Sequence, residues 1–144
     1  MMKNAGLIYA FGAAVLWGLA YTLDQKILSK LTPLSFLFIG SLLTALLLLP
    51  FLFFQKDSFG FIFSSNKTTL LLVFSSILLA ALAGFFILSS IKSTNAATAS
   101  TIEITYPFFV ILFSSLLFRT VPNKYFFIGT MFIFLGSVII FQFA

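Results

Sequence analysis

The chain contains no cysteine and no histidine, and only three of its 144 residues are acidic: Asp24, Asp57 and Glu103. Without cysteine there is no disulfide framework, no thiol nucleophile and no thiolate metal site, and without histidine the commonest general base and metal ligand are missing too. The sequence also lacks a Gly-rich phosphate loop, a pair of carboxylates on one helix face and any metal-ligand cluster. An enzyme is therefore the least expected class, and neither a cofactor nor a metal is expected. Charge itself is scarce: 8% of residues are charged against 61% hydrophobic, far from the balance of a soluble domain. This composition is that of an integral membrane protein. The net charge of +5 does not point to nucleic acid, because the eight basic residues are scattered between apolar runs, as Lys and Arg flanking membrane segments ordinarily are.

What the sequence has in abundance is apolar length. A helix needs about 20 apolar residues to cross a hydrocarbon core of about 30 Å. Five stretches meet that need, at 5–23, 34–54, 68–91, 96–118 and 125–143. None shows the alternation of a barrel strand, and backbone groups in lipid must be paired internally, so helices are the expected spanning form. The first run is too long for a signal-peptide core and is followed by four others, so it is read as a span. The expected fold is all-α, a single transmembrane bundle of five helices over residues 1–144.

The connections carry the breaks: "DQKILSKLTP" ends at Pro33, "QKDSFGFIFSSNK" holds Lys56, Asp57 and Lys67, "KSTN" is minimal, and "RTVPNK" holds Pro122. The short "KSTN" predicts an antiparallel hairpin of segments three and four, with Ser93, Thr94 or Asn95 as cap. With five spans, Lys3, Lys56, Lys67, Arg119 and Lys124 fall on one side, and Lys26, Lys30 and Lys92 on the other. Five against three predicts a cytoplasmic N-terminus in a cell inner (plasma) membrane, by a small margin.

Two sets of small residues stand out. Gly6, Ala10, Ala14 and Gly18 recur every fourth position in the first segment, and Gly129 and Gly136 lie seven apart in the fifth. Such stripes let helices approach closely where expulsion of water cannot drive them together, so helix packing is their expected role. Trp17, Tyr21 and Asp24 share a neighbouring face of the first helix. They read either as an interfacial anchor with Asp24 in water or as part of a pocket. The chain holds 22 phenylalanines, most of them expected to face lipid.

Glu103 differs from the other acids. It is the eighth residue of its run, ~10 Å inside the edge at ~1.5 Å per residue. An acid at that depth is costly unless it meets a partner, a wet cavity or the bundle interior, which makes it a functional candidate. Ser100 and Tyr106 lie one turn to either side. Pro107 cannot donate to the Glu103 carbonyl, so a helix kink is expected there. Glu103 reads as the binding site of a proton or a substrate cation, with Tyr106, Ser100, Trp17 and Tyr21 as further candidates. The structural alternative pairs it with Lys92 or Tyr106.

Three motifs carry a resemblance. "LWGLAYTLDQKIL", "ATASTIEITYPFFVILFSSLLF" and "YFFIGTMFIFLGSVII" are similar, in order and spacing, to helices one, four and five of one EamA-like repeat of the drug/metabolite transporter superfamily. The resemblance covers nearly the whole chain. Two features depart from it: many members have an arginine early in helix two, where this chain reads "SFLFIGSLL", and many end helix four in Gly-Glu, where Phe118 and Arg119 stand. Substrate roles tied to those positions do not carry over.

Typical full-length members hold two such repeats in opposite orientation, with the substrate pathway between them. The resemblance thus implies a half-size secondary transporter of small organic metabolites or drugs, with a cationic or zwitterionic group favoured. Its partner would be a second copy in an antiparallel homodimer or another half-size chain, working by alternating access in the lipid bilayer. The competing expectation is a non-transporting accessory or scaffolding subunit of a heteromeric complex such as a lipid-linked sugar flippase.

Overall fold

The computed structural model describes residues 2–52, 54, 60, 65–120 and 123–143, with side chains from residue 6 onward. The side chain of Lys3, and Lys56, Asp57 and Pro122, lie outside the described residues. The described residues are helical nearly throughout, in α1 (Met2–Leu28), α2 (Pro33–Leu52), α3 (Lys67–Ser93), α4 (Ala96–Glu103), α5 (Tyr106–Phe118) and α6 (Lys124–Phe143). Five segments are long and apolar enough to span a bilayer, α4 and α5 together forming the fourth, with mean hydropathies from 1.6 to 2.7. The protein is an all-α, multi-pass membrane protein.

Four helix starts follow one local rule. Thr32 accepts from the Ser35 N–H at 3.1 Å, Asn66 from Thr69 at 2.9 Å, Asn95 from Thr98 at 2.8 Å and Asn123 from Tyr125 at 3.0 Å. Each side chain satisfies one of the N–H groups that a helix leaves without an internal partner. The "KSTN" hairpin is capped by Asn95. The far end of α5 closes on Arg119, whose φ of 53° is left-handed, a conformation that a side chain disfavours by roughly 1–2 kcal/mol.

The fourth span is interrupted. Beyond Glu103 the Thr105 N–H turns to the Ile102 carbonyl at 3.1 Å, and Phe108 bonds Thr105 at 3.0 Å, both one residue short of α-helical spacing. Pro107 stands in the first turn of α5, where its missing N–H is least disruptive. The four-residue ladder therefore fails just where Pro107 would have donated to Glu103.

The contacts divide into two compact units, Leu28–Ser89 and the pair Met1–Ile27 with Ser90–Ala144. In the first, Gly84 of α3 faces α2: a Cβ there would stand 3.2 Å from Leu37 Cδ1. In the second, α6 packs against both α4 and α5. Phe108 and Phe134 meet at 5.9 Å between ring centroids, and the Ser137 hydroxyl donates to the Thr101 carbonyl at 2.7 Å. Thr130 and Ser137, each 4% exposed, are the buried residues of α6. Most large apolar side chains are exposed, Leu7 at 67% and Phe86 at 66% among them, as lipid-facing side chains must be.

Candidate functional site

The fourth span delivers Glu103 at the last position of α4, where it is half-buried. Opposite stands α1, whose Tyr21 lies near enough to Glu103 for the two side chains to act on each other electrostatically. Tyr21 is itself half-buried, and Asp24 and Tyr106 lie near enough to act on it electrostatically. Trp17, one turn back on α1, sets its ring 5.4 Å from that of Tyr21 at an angle of 46°. Three helices, α1, α4 and α5, thus bring together one deep acid, a second acid nearer the helix end, two phenols and an indole.

The remaining candidates fall around this group. Ser100 lies one turn before Glu103, with its hydroxyl turned back onto the Ala97 carbonyl at 3.1 Å. Tyr106, 60% exposed, opens α5 just past the interruption. The small-residue stripes stand elsewhere: a Cβ at Gly6, Gly18, Gly129 or Gly136 would meet nothing within 4 Å, and Ala10 and Ala14 are exposed. Asp24 is half-buried on a helix that continues to Leu28, one turn from Tyr21. A separate groove of about 300 Å³ lies between α5 and the start of α6, lined by Ser114, Ser115 and Asn123 among others. It shares no residue with the Glu103 group.

One residue of the site escaped the sequence reading. Gln25 Oε1 accepts from the Ala96 N–H at 2.7 Å, so α1 caps the N-terminus of α4 from outside. Its signal is faint: a single amide one turn beyond Tyr21, at the end of an apolar run. With Ala96 only 8% exposed, Gln25→Ala leaves a buried N–H without its partner, a loss of about 1–3 kcal/mol. A fall in the melting temperature of the detergent-purified protein is expected for Gln25→Ala, and not for Gln25→Glu, which keeps an acceptor. An unchanged melting temperature in Gln25→Ala would mean that this contact does not hold the two helices.

The arrangement contains no nucleophile and base in line, and among the described residues no three His, Cys, Asp or Glu side chains converge. What it can do is hold a positive charge or a proton within a membrane span. The EamA-like transporter family matches residues 4–142. The chain belongs to that family. It is also 30% identical over 125 residues to the "Uncharacterized inner membrane transporter YicL" of Salmonella typhimurium (strain LT2), a match covering 82% of this chain and 40% of that protein. The chain therefore spans about two fifths of the length of that relative. No solved structure gives a significant match. For this EamA-like chain the matched region takes in α1, α4 and α5, and so every residue of the Glu103 group.

Proposed function

We propose that this chain is one repeat of a secondary transporter that carries small organic cations or zwitterions across a cell inner membrane by alternating access. The observation that carries the reading is the place of Glu103, an acid within the fourth span, near Tyr21 of the first. A carboxylate in that setting is tolerated where it has work to do, and a cation or a proton is what it can bind. Membership of a transporter family and the printed name of the Salmonella protein support both the activity and the membrane. Trp17 and Tyr106 flank the acid, Ser100 lines the approach, and the interruption before Pro107 loosens the span beside the site. In this reading the second five-helix unit is an inverted copy of the chain, and Gly6, Gly18, Gly129 and Gly136, open within the chain, serve contacts between units.

Two measurements test this. Protein reconstituted into vesicles is expected to move an organic cation, with the flux responding to an imposed pH gradient; absence of flux for every cation tried refutes transport by the chain on its own. Reporter fusions at residue 144 are expected to signal from both sides of the membrane. Signal from one side only replaces the homodimer with a related partner chain of fixed orientation.

A further inference from the structure

The groove between α5 and the start of α6 lies within one compact unit, and the transport reading gives it no part. Its lining changes along its length. Val110 and Ile111 form the inner end, Ser114 and Ser115 the middle, and Thr120 and Asn123 the rim, beyond Phe118 where the fourth span ends. Counted back from Phe118 at ~1.5 Å per residue, the hydroxyls stand ~5 Å inside that edge and Val110 ~12 Å inside it.

The polar groups of the groove are available to a ligand. On α4 and α6 hydroxyls turn back onto their own helix, as Thr101 does onto the Ala97 carbonyl at 2.7 Å and Thr130 onto that of Phe126 at 2.8 Å. Among the described residues, Ser114 and Ser115 have no such partner. The Asn123 side-chain oxygen accepts from the Tyr125 N–H at 3.0 Å, which leaves its amide hydrogens unused. Two cations flank the rim in the chain, Arg119 before Thr120 and Lys124 after Asn123, and no acid follows Glu103. The Lys124 ammonium stands 5.2 Å from the centre of the Tyr125 ring. Arg119 holds the left-handed position, φ 53°, that ends a helix and that glycine ordinarily fills, so an arginine is kept there against backbone preference.

We propose that this groove seats an anionic phospholipid, with its phosphate at the Arg119, Asn123 and Lys124 rim, its ester oxygens at Ser114 and Ser115, and the start of one acyl chain against Val110 and Ile111. The order of chemistries along the groove is that of the lipid: charge, hydrogen-bonding esters, hydrocarbon. Basic pockets between membrane helices hold such headgroups by the same attraction. A zwitterionic lipid brings its own ammonium to the rim, where Arg119 and Lys124 repel it. A second protein helix would fill the groove with carbon and leave two hydroxyls and an amide covered without partners, which is disfavoured.

The full chain, purified in a non-ionic detergent, is titrated with dioleoylphosphatidylglycerol and with dioleoylphosphatidylcholine, binding being read from the rise in melting temperature. Wild type is expected to bind the anionic lipid about fivefold or more tightly, the effect of about one basic side chain beside an anionic lipid. Equal affinity for the two overturns the proposal. Inorganic phosphate at matching concentration is expected to give no rise; a rise equal to the lipid's makes this a phosphate site and overturns the lipid.

Arg119→Gly keeps the left-handed turn, which glycine adopts freely. It is expected to bind phosphatidylglycerol about fivefold more weakly while the lipid-free melting temperature stays level or rises, a combination that a merely structural arginine would not give. Ser115→Leu fills the middle of the groove and is expected to abolish the rise. Lys67→Gln, which removes a cation at the start of α3 in the other unit, is expected to leave lipid affinity unchanged. Wild-type affinity in Arg119→Gly or in Ser115→Leu overturns the groove as the site. So does a loss in Lys67→Gln as large as that in Arg119→Gly, since the lipid would then be answering charge spread over the whole surface. Arg119→Gly relieves strain rather than adding it, so the test stands even where Ser115→Leu fails to fold.

Discussion

Glu103→Gln is expected to reduce pH-driven cation flux about 10- to 150-fold in reconstituted vesicles, the range given by losing one charge-assisted hydrogen bond of about 1.5–3 kcal/mol. Glutamine keeps the length of the side chain, and the join between α1 and α4 through Gln25 and the Ala96 N–H is untouched. What it removes is the negative charge and the ability to exchange a proton. The melting temperature should stay level or rise, since a charge in a membrane span is a burden on stability that the amide does not carry. Lost flux with retained stability is the signature of a binding acid; lost flux with lost stability is that of a structural one. Glu103→Asp makes the distinction finer. It keeps the charge but withdraws it by about one carbon–carbon bond from Tyr21, so flux should fall less than in Glu103→Gln and keep its response to the pH gradient. Flux and pH response identical to wild type in Glu103→Gln would remove this acid from the mechanism.

The spans were legible because a bilayer imposes both length and hydropathy on anything that crosses it. Segments read at 68–91 and 125–143 became Lys67–Ser93 and Lys124–Phe143, while the one read at 5–23 runs on to Leu28. That extension has a plain cause: apolar residues end where the lipid ends, but a helix continues as long as its backbone bonds do, and Asp24, Gln25 and Lys26 ride on the added turn. The acid of the site was legible for the same reason as the spans, since a carboxylate in a spanning segment is conspicuous. Its partner was not. Tyr21 and Glu103 are joined by the approach of α1 to α4, and nothing in the spacing of either segment announces it. Gln25 and Ala96 are joined by the same approach, so the two unread contacts share one physical origin.

Ser137→Leu is expected to lower stability by about 2–5 kcal/mol, a large part of the 5–15 kcal/mol that holds a typical domain together. The reason begins at the interruption of the fourth span. Because the Thr105 N–H turns to Ile102, the Thr101 carbonyl loses its usual donor four residues on, and the Ser137 hydroxyl takes that place at 2.7 Å. Leucine there removes the donor and forces a branched side chain into a position only 4% exposed. Ser137→Ala separates these effects, for it removes the bond without adding bulk and should cost about 0.6 kcal/mol, the average for hydrogen bonds between membrane helices, and at most about 1.7 kcal/mol. Gly136 next door supplies the contrast. Gly129 and Gly136 share their seven-residue spacing with Thr130 and Ser137, yet the hydroxyl pair is buried and the glycines face outward with open space where a Cβ would go. Spacing alone cannot choose between two adjacent faces; the carbonyl of Thr101 does. Leucine at Gly136 should therefore leave the melting temperature of the isolated chain nearly unchanged while weakening any assembly that uses the open face, read as a loss of whatever crosslinked oligomer the wild type gives. If both leucine variants melt alike, α6 is not anchored through Ser137, and the account of the broken span given by Thr101 and Thr105 is wrong.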